Sequence, residues 1–360
     1  MKEKFTEEYL KQAALKAAEF KQKQSLPYSA KVARAENLAW AFYNHEEICG
    51  NCHISVGGLD SITLLIFLRS IGIHVPAISV STLEDKSIQK IHKELGVIAL
   101  KPSKSKVEVI REYGFPVISK EKSGKIAHLQ NPTEKNATIR HAIITGETGE
   151  YGGNRTESAM RLPQKWLDLF GGYENENEGT NYGVPNFKVS DRCCYWLKEK
   201  PCDDYAKEHH SFPYLGLMAS EGGRREKALA IHGCNYISKS VKRSAPFATF
   251  YRQDVLQLAL DLNVPVPEIY GEIVRDEDGT LRTTGAQRTG CSMCGYGIHM
   301  EKRPHRFDDL YFRNPKEWEF WMHHVCKDPE TGEEYGWDRV LDYIGVEWRF
   351  PEMWGGGIKV

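Results

Sequence analysis

Apolar and polar positions along the chain follow two periods in turn. Phe5, Tyr9, Leu10, Ala13 and Ala17, then Ala33, Leu38, Ala39 and Phe42, recur at helical spacing. They predict a two-helix lead-in over residues 5–45. From His53 the pattern becomes short apolar runs separated by amphipathic ones. It predicts a strand at His53–Val56, a helix at Ser61–Ile71, a strand at Ala77–Ser81, a helix at Ser87–Leu95 and a strand at Val97–Leu100. Strands and helices alternating at such short spacing build a parallel sheet. In such sheets ligands sit beyond the carboxyl ends of the strands, where the Gly57-Gly58 turn and the 81–85 turn both fall. Residues 121–185 are polar and rich in Gly, Asn, Glu and Thr, so an irregular insertion is expected there, a lid or substrate loop. Order returns with a helix after Asp191, a strand at Tyr214–Ala219 and a helix at Gln253–Asn263. Beyond residue 300 aromatics recur at helical spacing (Phe307, Tyr311, Trp318, Trp321, Trp337), which favours core over base stacking. The closing Gly355-Gly356-Gly357 reads as a flexible tail. Three segments result: a lead-in over 1–45, an α/β domain over 46–270 carrying the insertion, and an irregular, aromatic-rich region over 271–360.

Composition narrows the classes. At 360 residues the chain can bury a substantial core, and a net charge of −1 gives no global field for nucleic acid or an anionic membrane. No apolar run is long enough to span a bilayer, and Met1-Lys2-Glu3-Lys4 does not open a signal peptide, so a cytoplasmic location is expected. There, nine cysteines point to metal or redox chemistry more than to disulfides.

The densest chemistry lies at Ser55-Val56-Gly57-Gly58-Leu59-Asp60-Ser61. Paired glycines let the backbone approach a guest, the N–H groups of the turn point outward, and the following helix N-terminus adds partial positive charge. Such a turn cradles phosphate; its plainer reading is a tight turn with Asp60 or Ser61 as a cap. Glu221-Gly222-Gly223-Arg224-Arg225 follows a second predicted strand, where guanidinium forks can clamp phosphate or sulfate. Thr82 lies on the turn after the second strand, and Lys120 adds charge beyond the third. Cys193-Cys194 and Cys291-x-x-Cys294, with Cys234 between, supply thiolates for a metal centre. Adjacent cysteines diverge and bridge separate irons more readily than they grip one ion, which favours a [4Fe-4S] cluster over zinc. Cys49-x-x-Cys52 is a separate pair, a redox dithiol or a metal half-site. Cys202, Cys326, His209-His210 and His323-His324 are given no role.

The Gly57–Ser61 loop resembles the PP-loop of the adenine-nucleotide alpha-hydrolase superfamily of ATP pyrophosphatases. Further segments are similar, in order, to the phosphoadenosine-phosphosulfate (PAPS) reductase family within it. They are Tyr113–Lys120, Ser190–Cys194 with Lys198 and Pro201, Glu221 with Arg225, Gly233-Cys234-Asn235, Ser244–Phe247, and Arg288–Gly297 with Arg306-Phe307. The resemblance implies a doubly wound, mainly parallel α/β fold holding an adenine nucleotide, either ATP or PAPS/APS. It implies nucleotide contacts from Ser55, Gly57, Gly58, Leu59, Asp60, Ser61, Thr82 and Arg224, with Asp60 holding Mg²⁺. Asp60, Arg225 and Lys120 would serve the reaction, and Cys193, Cys194, Cys234, Cys291 and Cys294 the cluster. Val56 and Leu59 stand where many members carry Ser and Lys, and Met218 where an Arg is common. The tail lacks the cysteine of the sulfonucleotide reductases. The expected activity is therefore nucleotide activation with pyrophosphate release coupled to sulfur transfer, served by a sulfur donor such as a cysteine desulfurase. A nucleic-acid acceptor has no support from the charge. Sulfonucleotide reduction through Cys49 or Cys52, and non-catalytic nucleotide binding, are the alternatives.

Overall fold

The computed structural model describes residues 7–148, 158–173 and 181–350. These divide into two compact units, each drawn from two stretches of chain. The first comprises Met1–Pro102 with Glu199–Cys291, the second Ser103–Lys198 with Ser292–Val360.

The first unit is built on a six-stranded sheet: β1 (Cys52–Ser55), β2 (Ala77–Ser79), β3 (Ile98–Ala99), β4 (Phe212–Leu215), β5 (Asn235–Ile237) and β6 (Lys242–Ser244). Their order across the sheet is β3-β2-β1-β4-β6-β5. All neighbours pair in parallel except β5, which runs antiparallel along β6 at one edge. The mainly parallel α/β class read from the sequence is what the chain adopts. Helices Leu59–Ser70 and Lys86–Glu94 connect the first three strands. Ile54 stands at the centre, opposite Ala77 on one side and Tyr214 on the other, and is fully buried. Burial on both faces takes in the polar His53 along with Cys52 and Ile54.

The lead-in helices, Glu7–Gln24 and Tyr28–Tyr43, are part of this unit. The second buries Ala35, Ala39 and Phe42 and, unusually, Lys31. The Lys31 ammonium lies 2.8 Å from Asp254 Oδ2 and 4.4 Å from the centre of the Tyr251 ring. A buried cation is tolerated only with such partners.

The second unit is helical around Trp337, which is fully buried and meets Phe115 edge-on at 5.0 Å and Phe307 at 5.3 Å. Phe307, Trp318, Trp321 and Trp337 all lie in its core, as the helical spacing of the aromatics required. Residues 121–145 correct the expectation of an irregular insertion, for they form helices Lys120–Gln130 and Ala137–Thr145. Ser119 caps the first of them, accepting from Lys122 N, and Ile126 and Leu129 bury its inner face. Gly124 sits inside that helix because a Cβ there would come within 3.3 Å of the Asp191 carboxylate. Helix Gln164–Phe170 orders a later part of the same stretch. The C-terminal region carries helices Arg306–Arg313, Pro315–His323 and Trp337–Ile344 with a short hairpin. The tail at 351–360 lies outside the described residues. Among the described residues no helix is long and apolar enough to cross a membrane.

One buried polar group in the sheet sets a pH dependence. His53, on β1, is 1% exposed, and its Nδ1 lies 2.8 Å from Ser211 Oγ. Burial, with a smaller push from His209, lowers its pKa from 6.5 to about 4. The unfolded chain therefore takes up a proton near pH 6.5 that the folded chain refuses until about pH 4. Stability is full above that window and falls as pH drops through it, by ~1.4 kcal/mol per pH unit. His53→Gln should flatten this slope. Urea midpoints of wild type and variant that fall in parallel between pH 7 and pH 4.5 would refute the assignment.

Candidate functional site

The strand order reverses between β1 and β4: the chain proceeds from β1 outward to β2 and β3, then returns to β4 on the other side. Loops leaving the two strands diverge there, opening a crevice at the sheet rim. Gly57-Gly58 follows β1, and helix Leu59–Ser70 begins at once with Gly58 as its N-cap. Gly216, directly after β4, presses on that helix start, and a Cβ there would lie 3.1 Å from Ser61 Cα.

The loop is braced on every side. Gly57 N–H donates to Ser61 Oγ at 2.7 Å, and the Ser61 hydroxyl donates to Gly58 O at 2.8 Å. Gly57 O accepts from His92 Nε2 at 2.8 Å. A carbonyl only accepts, so Nε2 carries hydrogen, and Nδ1 lies 2.9 Å from Ser81 Oγ. Leu59 N–H donates to Tyr270 Oη at 3.1 Å. A Cβ on Gly58 would fall 2.3 Å from that oxygen, so the position admits only glycine. Ser61, expected to face phosphate, is instead the inner brace of the loop. Ser55 is half-buried at the end of β1, the Leu59 side chain is buried, and Thr82 is exposed on the 81–83 turn.

A cleft of about 500 Å³ opens beside the loop. Asp60, Glu221, Arg252 and Arg288 supply its charges, and Met218 and Tyr251 part of its wall. Asp60, on the first helical turn, is ion-paired with Arg252, and both side chains are 29% exposed. Burial raises the Asp60 pKa, with Arg252 opposing the shift. Arg252 also donates to Gln287 O at 3.2 Å. Glu221 pairs with Arg225 and lies 3.9 Å from Arg288. Two carboxylates and two guanidiniums thus line the cleft, with Arg225 beside Glu221 at its side. Arg225 also acts on the Asp60 charge, so these two predicted residues share one electrostatic environment. Arg224 lies on helix Gly223–His232, but its side chain falls outside the described part. Lys120 belongs to the second unit, at the first position of helix Lys120–Gln130.

No family model matches the sequence, and no curated protein matches it. Among solved structures the chain is similar to phosphoadenylyl-sulfate (PAPS) reductase from Candida auris, in its phosphate complex. Identity is 11%, the TM-score 0.34, and the alignment covers 68% of this chain and 89% of the other. A likeness at that level leaves the site to be argued from its own residues.

Arg252, Tyr270, Thr289, His92 and Ser81 escaped the sequence reading as loop and cleft residues. Arginines were weighed there by the glycines beside them, and Arg252 has none; its signal was its place at a helix start following Tyr251.

Of the five candidate cysteines, Cys234 and Cys291 belong to the first unit and Cys193, Cys194 and Cys294 to the second. Among the described residues no three His, Cys, Asp or Glu side chains are assembled as a metal site. Cys193, Cys194 and Cys294 belong to the second unit, and their charges, with that of Asp191, raise the pKa of Tyr296 beyond the effect of its burial. The Tyr296 hydroxyl is buried without a hydrogen-bond partner. Cys234 lies in the first unit among Phe20, Ala219, Leu229 and Ala245, where burial pushes its thiol up against the opposing influence of Arg34. It packs as a core residue. Cys49 and Cys52 part company as well. Cys49 is exposed, its thiol donating to Glu46 O at 2.8 Å, whereas Cys52 is buried and pushed up to about 12. At pH 8, Cys49 should label with a maleimide within minutes and Cys52 only on unfolding. Mass spectrometry showing both labelled at equal rates in the native protein would restore a dithiol.

Proposed function

We propose that this chain binds the phosphate groups of an adenine nucleotide on the Gly57–Ser61 loop and in the adjoining cleft. One observation carries the reading: a glycine turn and helix start, at the reversal of strand order, open beside a cleft lined by Arg252 and Arg288, with Arg225 acting on its Asp60 charge. Arginines at a partly desolvated rim are suited to phosphate oxygens. Adenine as the base rests on the motif resemblance alone.

The finer reading is nucleotide activation with release of pyrophosphate, coupled to sulfur transfer. In it Arg252 exchanges Asp60 for phosphate, and the freed carboxylate holds Mg²⁺. Arg225 and Arg288, drawn off Glu221, offset charge developing on the departing pyrophosphate. No step is assigned to a cluster; Cys193, Cys194 and Cys294 are the thiols offered for a sulfur-handling centre. Reduction of a sulfonucleotide would fall to Cys49, since Cys52 is buried and protonated at neutral pH. Non-catalytic binding has one feature in its favour, the engagement of Asp60 by Arg252.

Calorimetry with Mg·ATP and with inorganic pyrophosphate tests the reading. Wild type should bind both; Arg252→Ala should weaken binding about 10-fold to 100-fold, the worth of a charge-assisted hydrogen bond. Absence of wild-type binding at millimolar ligand would dismiss the nucleotide site. Pyrophosphate release from ATP that disappears in Asp60→Ala would support activation, and tight binding without release would favour the non-catalytic form.

A further inference from the structure

We infer that Thr289 and Tyr270 together present a hydroxyl donor to an anion seated on the Gly57–Ser61 loop, making Thr289 a phosphate-binding residue of this site. The inference rests on the nucleotide reading above. Tyr270 Oη and Thr289 Oγ1 are 2.6 Å apart. A Cβ on Gly58 would fall 2.3 Å from the first and 3.0 Å from the second, so both oxygens close on the side of Gly58 where a side chain would stand. Leu59 N–H donates to Tyr270 Oη, which joins the pair to the backbone of the cradle.

Counting protons completes the argument. Each hydroxyl has one hydrogen to donate and two lone pairs to accept with. Their mutual bond consumes one hydrogen whichever oxygen supplies it, and the bond from Leu59 uses a lone pair. Among the described residues neither makes another hydrogen bond. One O–H is therefore left without an acceptor in the protein. Tyr270 is 3% exposed, and its burial keeps the phenol protonated. Thr289 is half-buried and follows Arg288, which lines the cleft, so the spare hydrogen reaches solvent through Thr289. A neutral O–H beside guanidiniums suits an anionic oxygen, and Ser61, with its hydroxyl committed to Gly58 O, does not provide one.

Titration calorimetry of the full chain with inorganic pyrophosphate, comparing wild type, Thr289→Val and Thr289→Ser, decides the matter. Thr289→Val keeps the shape and removes the hydroxyl; it should bind about 5-fold to 20-fold more weakly. Thr289→Ser restores the hydroxyl and should bind within about twofold of wild type. Should Thr289→Val fail to fold, Thr289→Ala takes its place with the same expectation. Equal affinity in wild type and the hydroxyl-free variant overturns this inference alone. A serine variant as weak as the valine variant overturns it too, since loss would then follow shape. A wild type that ignores pyrophosphate removes the reading of the loop and this inference with it.

Discussion

Everything at the sheet rim depends on one steric constraint, the contact of Gly216 with the backbone of Ser61. Two strands of a parallel sheet, β1 and β4, deliver their chains to the same rim and then part. Helix Leu59–Ser70 can start this close to the sheet because the residue directly after β4 has no side chain. A methyl group there would force the helix start away from the sheet. Gly58 is held to the same condition by Tyr270 from another direction. The cradle is thus shaped by what two glycines leave out, and the groups that touch it are placed by that vacancy.

Charge within the cleft is balanced differently from charge elsewhere in the same unit. Lys31 and Asp254 are both largely buried and hold each other in a fixed geometry, a bond that ties the lead-in helix to the helix after Tyr251. Asp60 with Arg252, and Glu221 with Arg225 and Arg288, are more open to water, and burial disfavours the ionised form of Asp60. Ion pairs of that second kind are worth little net energy, since solvent competes for both partners. A doubly charged guest therefore meets guanidiniums whose present partners hold them weakly.

How much of this was legible depended on the range of the interaction. The parallel sheet and its crossover helices were readable because Ile54, the helix of Ile62, Leu64 and Leu65, and the strand at Ala77 bury apolar side chains at local periods. The Gly57-Gly58 turn was readable because its neighbours in sequence are its neighbours in space. The helix Lys120–Gln130 was missed because its glycine and lysines mask a narrow apolar stripe, and because Gly124 answers to Asp191, far along the chain. His92, Tyr270 and Thr289 carry no local sign of their roles, since each meets the loop only through tertiary contact. Ser61 illustrates the converse: the motif located the residue, while the direction of its hydroxyl was settled by Gly57 N and Gly58 O. The cysteines were grouped by spacing, yet Cys234 packs among Phe20 and Leu229.

The pairing of Cys52 with Phe212 has a bearing on how the protein is made. On the ribosome, β1, β2 and β3 emerge early, but the neighbour that covers the other edge of β1 arrives only after the whole stretch Ser103–Lys198 has been synthesised. Until then the central strand exposes an unpaired edge rich in apolar groups, the form of nascent chain most prone to wrong partners. Tyr270 and Thr289, which fasten the loop, leave the tunnel later still. The cradle is therefore among the last features to take shape during synthesis, and a chain truncated before residue 270 would carry the motif without its fastening.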